Sequence, residues 1–581
     1  LLVVIISITA TAVPSYVAKG KIPSGIWLNE FSPYFVQDTI WLTSGNTLYI
    51  EYGCEIYFAT NAVFYIEDGA KLVAGAPRCS GDPQDSVWFK WAIMTPDTLN
   101  GWGGLRFESA EHCTLNLCHI SGVVVHDAAS YGAISNVNSS LAIENCLIDG
   151  NIGGGGGGGA VFVETSHESS LLNCTITNNR SFGHGGGVYV DASNFSMGGN
   201  FINHNELRDG SYNGGGAFLK GSFNSVGDIF SWNKSLRDGG GVFTEDFTGT
   251  IERPIISFNL ANRRGGGIAM SGGSPTISRG DICSNYALAI EGAGVYTQDN
   301  SAPTFVNCVI AYNDGGGIWG TSTAGGGDNI KIINSTIAKN FSGPGLRFGW
   351  IYGGADVLLF NSAVFRNTAS HAPCQQITLS NASNLYVSHS YICNSAQVCL
   401  DLIANLHHIE PADFITGDPA FADTMECNVG WIPSCAPSMS VLIDAGAPSV
   451  DFLSETVFAP DHDFLGNDRF MDLGWDIGAF ENSCLGMRDR GDLPQTSSLI
   501  AVRPNPFNAA MSIEFELLKA SEVTIEIFDM SGRKADEIHV GGLKSGFHRV
   551  DWSAGDRPSG VYTIKLDAGS EVFTTKATLV K

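Results

Sequence analysis

The chain has 581 residues, 71 of them Gly, with 15% charged and 44% hydrophobic residues and a formal net charge of −26. Against about 7% Gly and about 25% charged residues in an average soluble protein, this composition argues against a helical fold while leaving ample material for a core. The excess of 58 Asp+Glu over 32 Lys+Arg repels phosphate backbones and anionic membrane leaflets, which excludes nucleic acid as a partner.

In chain order, LLVVIISITATA (1–12) is apolar through Ile8 and sets Ala10 and Ala12 where a signal peptidase needs small residues. It is expected to be a secretory signal, truncated at its start because Met and a basic n-region are missing, and it is too short to cross a bilayer. Fourteen Cys in an exported chain permit disulfides, with Cys427/Cys435 and Cys374/Cys393 as candidate pairs.

From Val123 to Asn394 an aliphatic or aromatic residue is followed three positions later by Asn, and the successive Asn (151, 179, 205, 233, 259, 285, 313, 340, 367, 394) stand 26 to 28 residues apart. A Gly-rich triplet leading into a β-prone run keeps the same period: GGGVYVD (185–191), GGGAFLK (214–220), GGGVFTE (239–245), GGGIAMS (265–271), GAGVYTQ (292–298) and GGGIWGT (315–321). Helical periodicity is missing, so each repeat reads as two or three short strands joined by sharp turns. Strands that return at a fixed interval without helices between them must coil into a parallel β-helix, each coil hydrogen-bonded to the next at ~4.8 Å. The Asn column reads as a turn ladder, because Asn tolerates left-handed backbone and stacked Asn side chains bond along the axis.

These phrases resemble the right-handed parallel β-helix proteins with GGG and xxN repeats, seen also in chlamydial polymorphic outer-membrane proteins, over roughly residues 30 to 482. The resemblance implies an all-β, right-handed solenoid spanning 13–482. The segment 442–482, ending DIGAFE, is similar to the closing segment of exported bacterial members and is expected to cap the last coil. Enzymes of the pectate-lyase-like group share this fold, so a polysaccharide lyase or glycoside hydrolase is the rival to a non-catalytic adhesin.

Aligning the Gly-triplet strands gives columns. Val161/Val163, Val188/Val190 and their equivalents suit the interior, so the alternate residues Phe162, Tyr189, Phe218, Phe243, Tyr296 and Trp319 point outward. Exposed, that ring row would form a polysaccharide-binding surface; the competing reading is an aromatic stack that only stabilises the sheet. The next outward column holds Glu164, Asp191, Lys220 and Glu245. Glu164 and Asp191 meet the carboxylate spacing of a glycosidase crudely, as any two stacked acids do, and Lys220 reads equally as a neutralising partner. His184, in a Gly-His-Gly turn, echoes a polygalacturonase motif whose companions are absent, and reads as a turn residue. No cofactor is required. Asp461, Asp463, Asn467 and Asp468 offer hard oxygen ligands for Ca²⁺, or form an acidic turn with Arg469 as counter-ion. Cys146, Cys174 and Cys308 share one column and read as small buried hydrophobes, or as a Cys146–Cys174 disulfide.

Residues 483–498 are polar and contain Pro, as a linker does. Beyond them about seven short alternating strands in 499–581 indicate a small Ig-like β-sandwich. RPNPFN (503–508), IFDMSGR (527–533), SGVYTIKL (559–566) and Lys581 resemble the C-terminal sorting domain of type IX secretion cargo. The resemblance implies passage across the periplasm to the outer cell surface or beyond, with the outer-membrane secretion machinery as partner of this module. The remaining partner is expected to be a polysaccharide or a surface protein.

Overall fold

The computed structural model describes residues 14–76, 86–92, 100–125, 131–289, 291–321, 328–348, 355–368, 376–379, 383–392, 406–408, 414–415, 442, 445–469, 475–481, 498–503, 507, 510–517, 521–529, 533–543, 546–555, 557–569 and 572–579. The signal segment, the linker up to residue 497, Asn394, and Cys374, Cys393, Cys427 and Cys435 lie outside them. The chain divides into two units, 1–485 and 486–581.

The first unit is the expected parallel β-helix. One coil shows its build. A strand at Val161–Thr165 turns into Ser169–Leu172 and then Thr175–Thr177; the chain rounds a corner through Asn178 and Asn179, adds a two-residue strand at Arg180–Ser181, and passes through Gly183–Gly187 into the next coil at Val188. Equivalent strands pair in parallel and in register, Val161 with Val188 and Val188 with Ala217. Stacking of coils yields sheets of 16, 14 and 15 strands, here called the first (through Thr175–Thr177), second (Val161–Thr165) and third (Ser169–Leu172) sheets, and a short fourth sheet of six strands through Arg180–Ser181. Side chains alternate, and the inward residues Val161, Val163, Leu171 and Ile176 join one continuous buried core with their counterparts above and below.

The Asn column is a ladder in which each rung bonds twice to the next. Asn205 donates from its backbone N–H (3.0 Å) and from Nδ2 (3.1 Å) to Asn233 Oδ1, and Asn233 does the same to Asn259 Oδ1 (2.9 and 3.1 Å). The ladder runs without a break from Asn151 to Asn367, where Gln376 Oε1 accepts the last pair. One detail differs from expectation: the left-handed residue is the one before each ladder Asn, namely Asn178, His204, Trp232, Phe258, Ser284, Tyr312, Lys339 and Arg366. The ladder Asn is there to satisfy buried donors; its neighbour turns the corner.

The Gly triplets answer two demands. The first Gly has positive φ (+71° at Gly185, +67° at Gly239), and the third lies against the ladder. A Cβ on Gly241 would stand 2.8 Å from the Gly267 carbonyl and 2.9 Å from Asn259 Nδ2.

A second polar ladder runs along the corner between the third and first sheets. Cys118 N–H donates to Cys146 Sγ (3.4 Å), Cys146 N–H to Cys174 Sγ (3.5 Å), Cys174 N–H to Asn200 Oδ1 (2.9 Å), and Asn200 N–H to Asp228 Oδ1 (2.8 Å). Cys146 and Cys174 are free buried thiols, so the disulfide alternative is not realised, and each S–H in turn donates to main-chain carbonyls, Cys146 to Leu115 and Glu144 and Cys174 to Ile143 and Leu172.

The closing segment is described at 442, 445–469 and 475–481. Its described residues flank the sides of the coils between Val306 and Tyr391, because the outer faces there are apolar and need cover. Leu442, Ile477, Ala479 and Phe480 pack on Val309, Ala338, Phe365 and Tyr391 of the first sheet, and Val450, Phe452 and Val457 pack on Ile333, Leu358 and Phe360 of the third. Asn361 donates from Nδ2 to the Ala447 carbonyl (2.7 Å) and accepts from Ala447 N–H (2.9 Å).

The second unit has seven described strands in two antiparallel sheets. Ser498–Arg503, Ala510–Leu517 and Gly546–Ser553 make one; Lys534–Leu543, Ser521–Phe528, Gly560–Asp567 and Val572–Leu579 make the other. Ile513, Phe515, Ile525, Ile527, Ile564 and Leu566 fill the space between them, as in a β-sandwich.

Candidate functional site

The expected ring row points away from the main core, but it is not a surface. Phe162, Phe218, Phe243, Tyr296 and Trp319 are buried (1–6% exposed) and only Tyr189 is half-buried. The rings stack coil on coil, with centroids 4.8 Å apart from Phe162 to Tyr189, 5.1 Å from Tyr189 to Phe218 and 5.4 Å from Phe218 to Phe243. What covers them is the segment between the ladder Asn and the Gly triplet, which folds back over the outer face of the second sheet. From that segment His184 lies on Phe218 (4.4 Å) and Arg264 over Tyr296 (4.8 Å), while Arg347, the next residue of the same second-sheet column, lies over Trp319 (4.0 Å). The row is therefore a second, thinner core; as a glycan platform it is corrected. Burial, with Asp191 and Glu164 nearby, pushes the Tyr189 phenol up to about 12.

His184 is a turn residue with a packing job. Its Nδ1 accepts from Asn213 N–H (3.2 Å), and burial pulls the imidazole down to about 4, the neutral form that acceptor role requires.

The outward acids form a mixed-charge row. Glu164 stands in register with Asp191, Asp191 with Lys220 and Lys220 with Glu245. Lys220 Nζ lies 3.5 Å from Asp191 Oδ2 and 3.5 Å from Glu245 Oε2. Burial works against its charge, but these two carboxylates raise its pKa overall. The ammonium sits between the acids as their counter-ion.

The candidate Ca²⁺ ligands diverge. Asp463 is buried, and its oxygens accept from Asn467 N–H (2.7 Å), Asn467 Nδ2 (3.1 Å) and Glu481 N–H (3.0 Å). Asp468 points to solvent and pairs with His462 (3.0 Å), and Asp461 is exposed. Arg469 is counter-ion to Glu481 (3.3 Å) and bonds Asn307 Oδ1 (2.6 Å), tying the closing segment to the solenoid. Among the described residues no group of three or more His, Cys, Asp or Glu is arranged to hold a metal.

A different aromatic row is exposed. It occupies the left-handed corner position between the first and fourth sheets. Trp232 and Phe258 are 55% and 39% exposed, their rings 4.7 Å apart and 8° from parallel, and His204 continues the row with its ring 6.2 Å from Trp232 and 9° from parallel. Tyr286 and Phe341, each one residue after a ladder Asn, are exposed rings outside this corner column on later coils. At φ +57° a Trp or Phe carries about 1–2 kcal/mol of strain that Asn178, at the same place one coil earlier than His204, avoids. One offset stack returns about 0.5–1.5 kcal/mol, which offsets the strain of one ring and not of two. The sequence displays His204, Trp232 and Phe258 immediately before a ladder Asn, and a search for bulky residues at that position would have found them.

On the fourth-sheet side of the same corner, Glu206 is approached by Arg180 Nε (3.8 Å), Arg208 Nε (3.9 Å) and Lys234 Nζ (3.6 Å). Glu206 and Lys234 stand two residues beyond His204 and Trp232, so rings and charges line adjacent columns.

Residues 237–347 match the family model of the right-handed β-helix region, and residues 501–581 match that of the secretion system C-terminal sorting domain. No curated protein sequence matches the chain. Among solved structures, two mutant tailspike proteins of E. coli bacteriophage HK620, in complex with a hexasaccharide and a pentasaccharide, align at 11% identity. The alignments cover 92% of this chain and 85% and 86% of the tailspikes, with TM-scores of 0.36 and 0.35. The solenoid, its matching repeat region and the sorting module agree: this chain is a right-handed β-helix repeat protein with a type IX sorting domain, destined for the cell surface or the extracellular space.

Proposed function

We propose that the protein is a non-catalytic, surface-displayed or released β-helix that binds a glycan chain along its outer corner. The observation that carries this reading is the solvent-exposed, stacked row His204–Trp232–Phe258, held in strained backbone at positions where Asn or Gly would turn the chain at lower cost. Exposed rings give apolar contact to sugar C–H groups, and the polar and charged residues beside them serve the hydroxyls. Coils rising ~4.8 Å apart keep pace with an extended sugar chain lying along the axis. A lyase or hydrolase reading has less support at Asp191 and Glu245, because Lys220 stands between these two carboxylates as their counter-ion. Incubation of the full chain with a polysaccharide panel tests the proposal. Binding without new reducing ends or unsaturated uronate absorbance, weakened in Trp232→Ala, supports it; turnover lost in Asp191→Asn overturns it in favour of an enzyme.

A further inference from the structure

On the basis of that reading, we infer that the corner selects an acidic polysaccharide, whose carboxylate or sulfate groups are held by Arg180, Arg208 and Lys234 beside the ring row. Three cations meet one carboxylate there, a local excess of positive charge on a chain whose formal charge is −26. Their distances to Glu206, 3.6 to 3.9 Å, exceed those of charge-assisted hydrogen bonds, so the N–H donors are near the carboxylate without being consumed by it. The neighbouring acid, Asp209, is turned to the backbone N–H of Ser211 (2.8 Å). Each cation is about two-fifths exposed, enough to reach a ligand.

The arrangement has the geometry a charged sugar chain needs. Arg180, Glu206 and Lys234 follow one another on successive coils of the fourth sheet. The ring row lies one column away on the coils of His204, Trp232 and Phe258. A chain running along the axis thus meets rings on one side and guanidinium and ammonium groups on the other. The net negative charge of the protein works against indiscriminate capture of polyanions, so retention of one must come from a local site.

The test is affinity electrophoresis of the full chain through gels containing polygalacturonate, its methyl ester, dextran sulfate or dextran, at low and high salt. At low salt the acidic chains are expected to bind at least tenfold more tightly than their neutral counterparts, with the preference lost at high salt. The triple variant Arg180→Gln, Arg208→Gln, Lys234→Gln should lose that tenfold preference and keep weak binding to the neutral chains. Trp232→Asn, which installs a residue the left-handed corner favours, should lose binding to both while its thermal midpoint stays level or rises. Equal retardation by acidic and neutral chains, abolished in Trp232→Asn, overturns the acidic class and leaves the glycan reading standing. Retardation by none of them, or binding that survives Trp232→Asn, overturns both and leaves a protein partner as the occupant.

Discussion

Replacing Asn233 by Ala tests how much of the solenoid's stability resides in the ladder. Asn233 is not at a left-handed position, so Ala is compatible with its backbone and the substitution isolates the amide. Four hydrogen bonds disappear. Oδ1 no longer accepts from Asn205 N–H (3.0 Å) and Asn205 Nδ2 (3.1 Å), and Nδ2 no longer donates to the Ile202 carbonyl (2.8 Å) or Asn259 Oδ1 (3.1 Å). Asn259 Oδ1 keeps the Asn233 backbone N–H at 2.9 Å, so the main penalty falls on the two donors of Asn205, a fully buried residue. At about 1–3 kcal/mol for each of the two stranded buried groups, the expected loss is about 2–6 kcal/mol. Because each coil of a solenoid touches only its neighbours, the damage is local and the unfolding transition should broaden as well as shift. Urea denaturation followed by far-UV circular dichroism reads both effects. A loss below about 1 kcal/mol, the net worth of a single ordinary hydrogen bond, would refute the ladder as a stabilising element.

Three further outcomes follow from the same geometry. Asp228 is fully buried, and burial raises its carboxyl from 3.8 to about 6 despite hydrogen bonds from Ser225 and Asn200. The folded state binds that proton more tightly, so a contribution of about 3 kcal/mol is present below pH 3.8 and lost as pH rises through about 6. Asp228→Asn should remove this slope in urea midpoints measured from pH 4 to 7. Gly241→Ala forces a Cβ to 2.8 Å from the Gly267 carbonyl and should cost about 1–3 kcal/mol or more, measured by the same titration. Phe243→Ala empties a buried ring site and should cost about 3–5 kcal/mol in the same titration while leaving glycan retardation unchanged.

The coil and its period were legible because Asn and Gly sit where chemistry leaves few substitutes: the buried ladder at Asn205 and Asn233, and the close contact at Gly241. Alternation also put Phe162 and Phe218 on the outward side correctly. Their cover was not legible, because it comes from the segment carrying His184 and Arg264, whose two-residue strands are too short to show a period. Residue preference points to the ladder Asn for the left-handed position, whereas Trp232 and Phe258 occupy it against that preference. Cys146 and Cys174 were recognised as buried, but sequence alone does not reveal that their sulfurs accept the N–H bonds that Asn200 and Asp228 take on later coils. Nothing local in the sequence marks Val309 or Phe365 as faces that the closing segment packs against.

Hydroxyl-radical footprinting of the full chain, with and without bound polygalacturonate and read residue by residue by mass spectrometry, confronts the account most directly. Trp232 and Phe258 should be oxidised in the free protein and protected on binding, while Phe218, Phe243 and Tyr296 stay unmodified throughout. Rapid labelling of Phe218 and Phe243, with Trp232 unaffected by the polysaccharide, would contradict it.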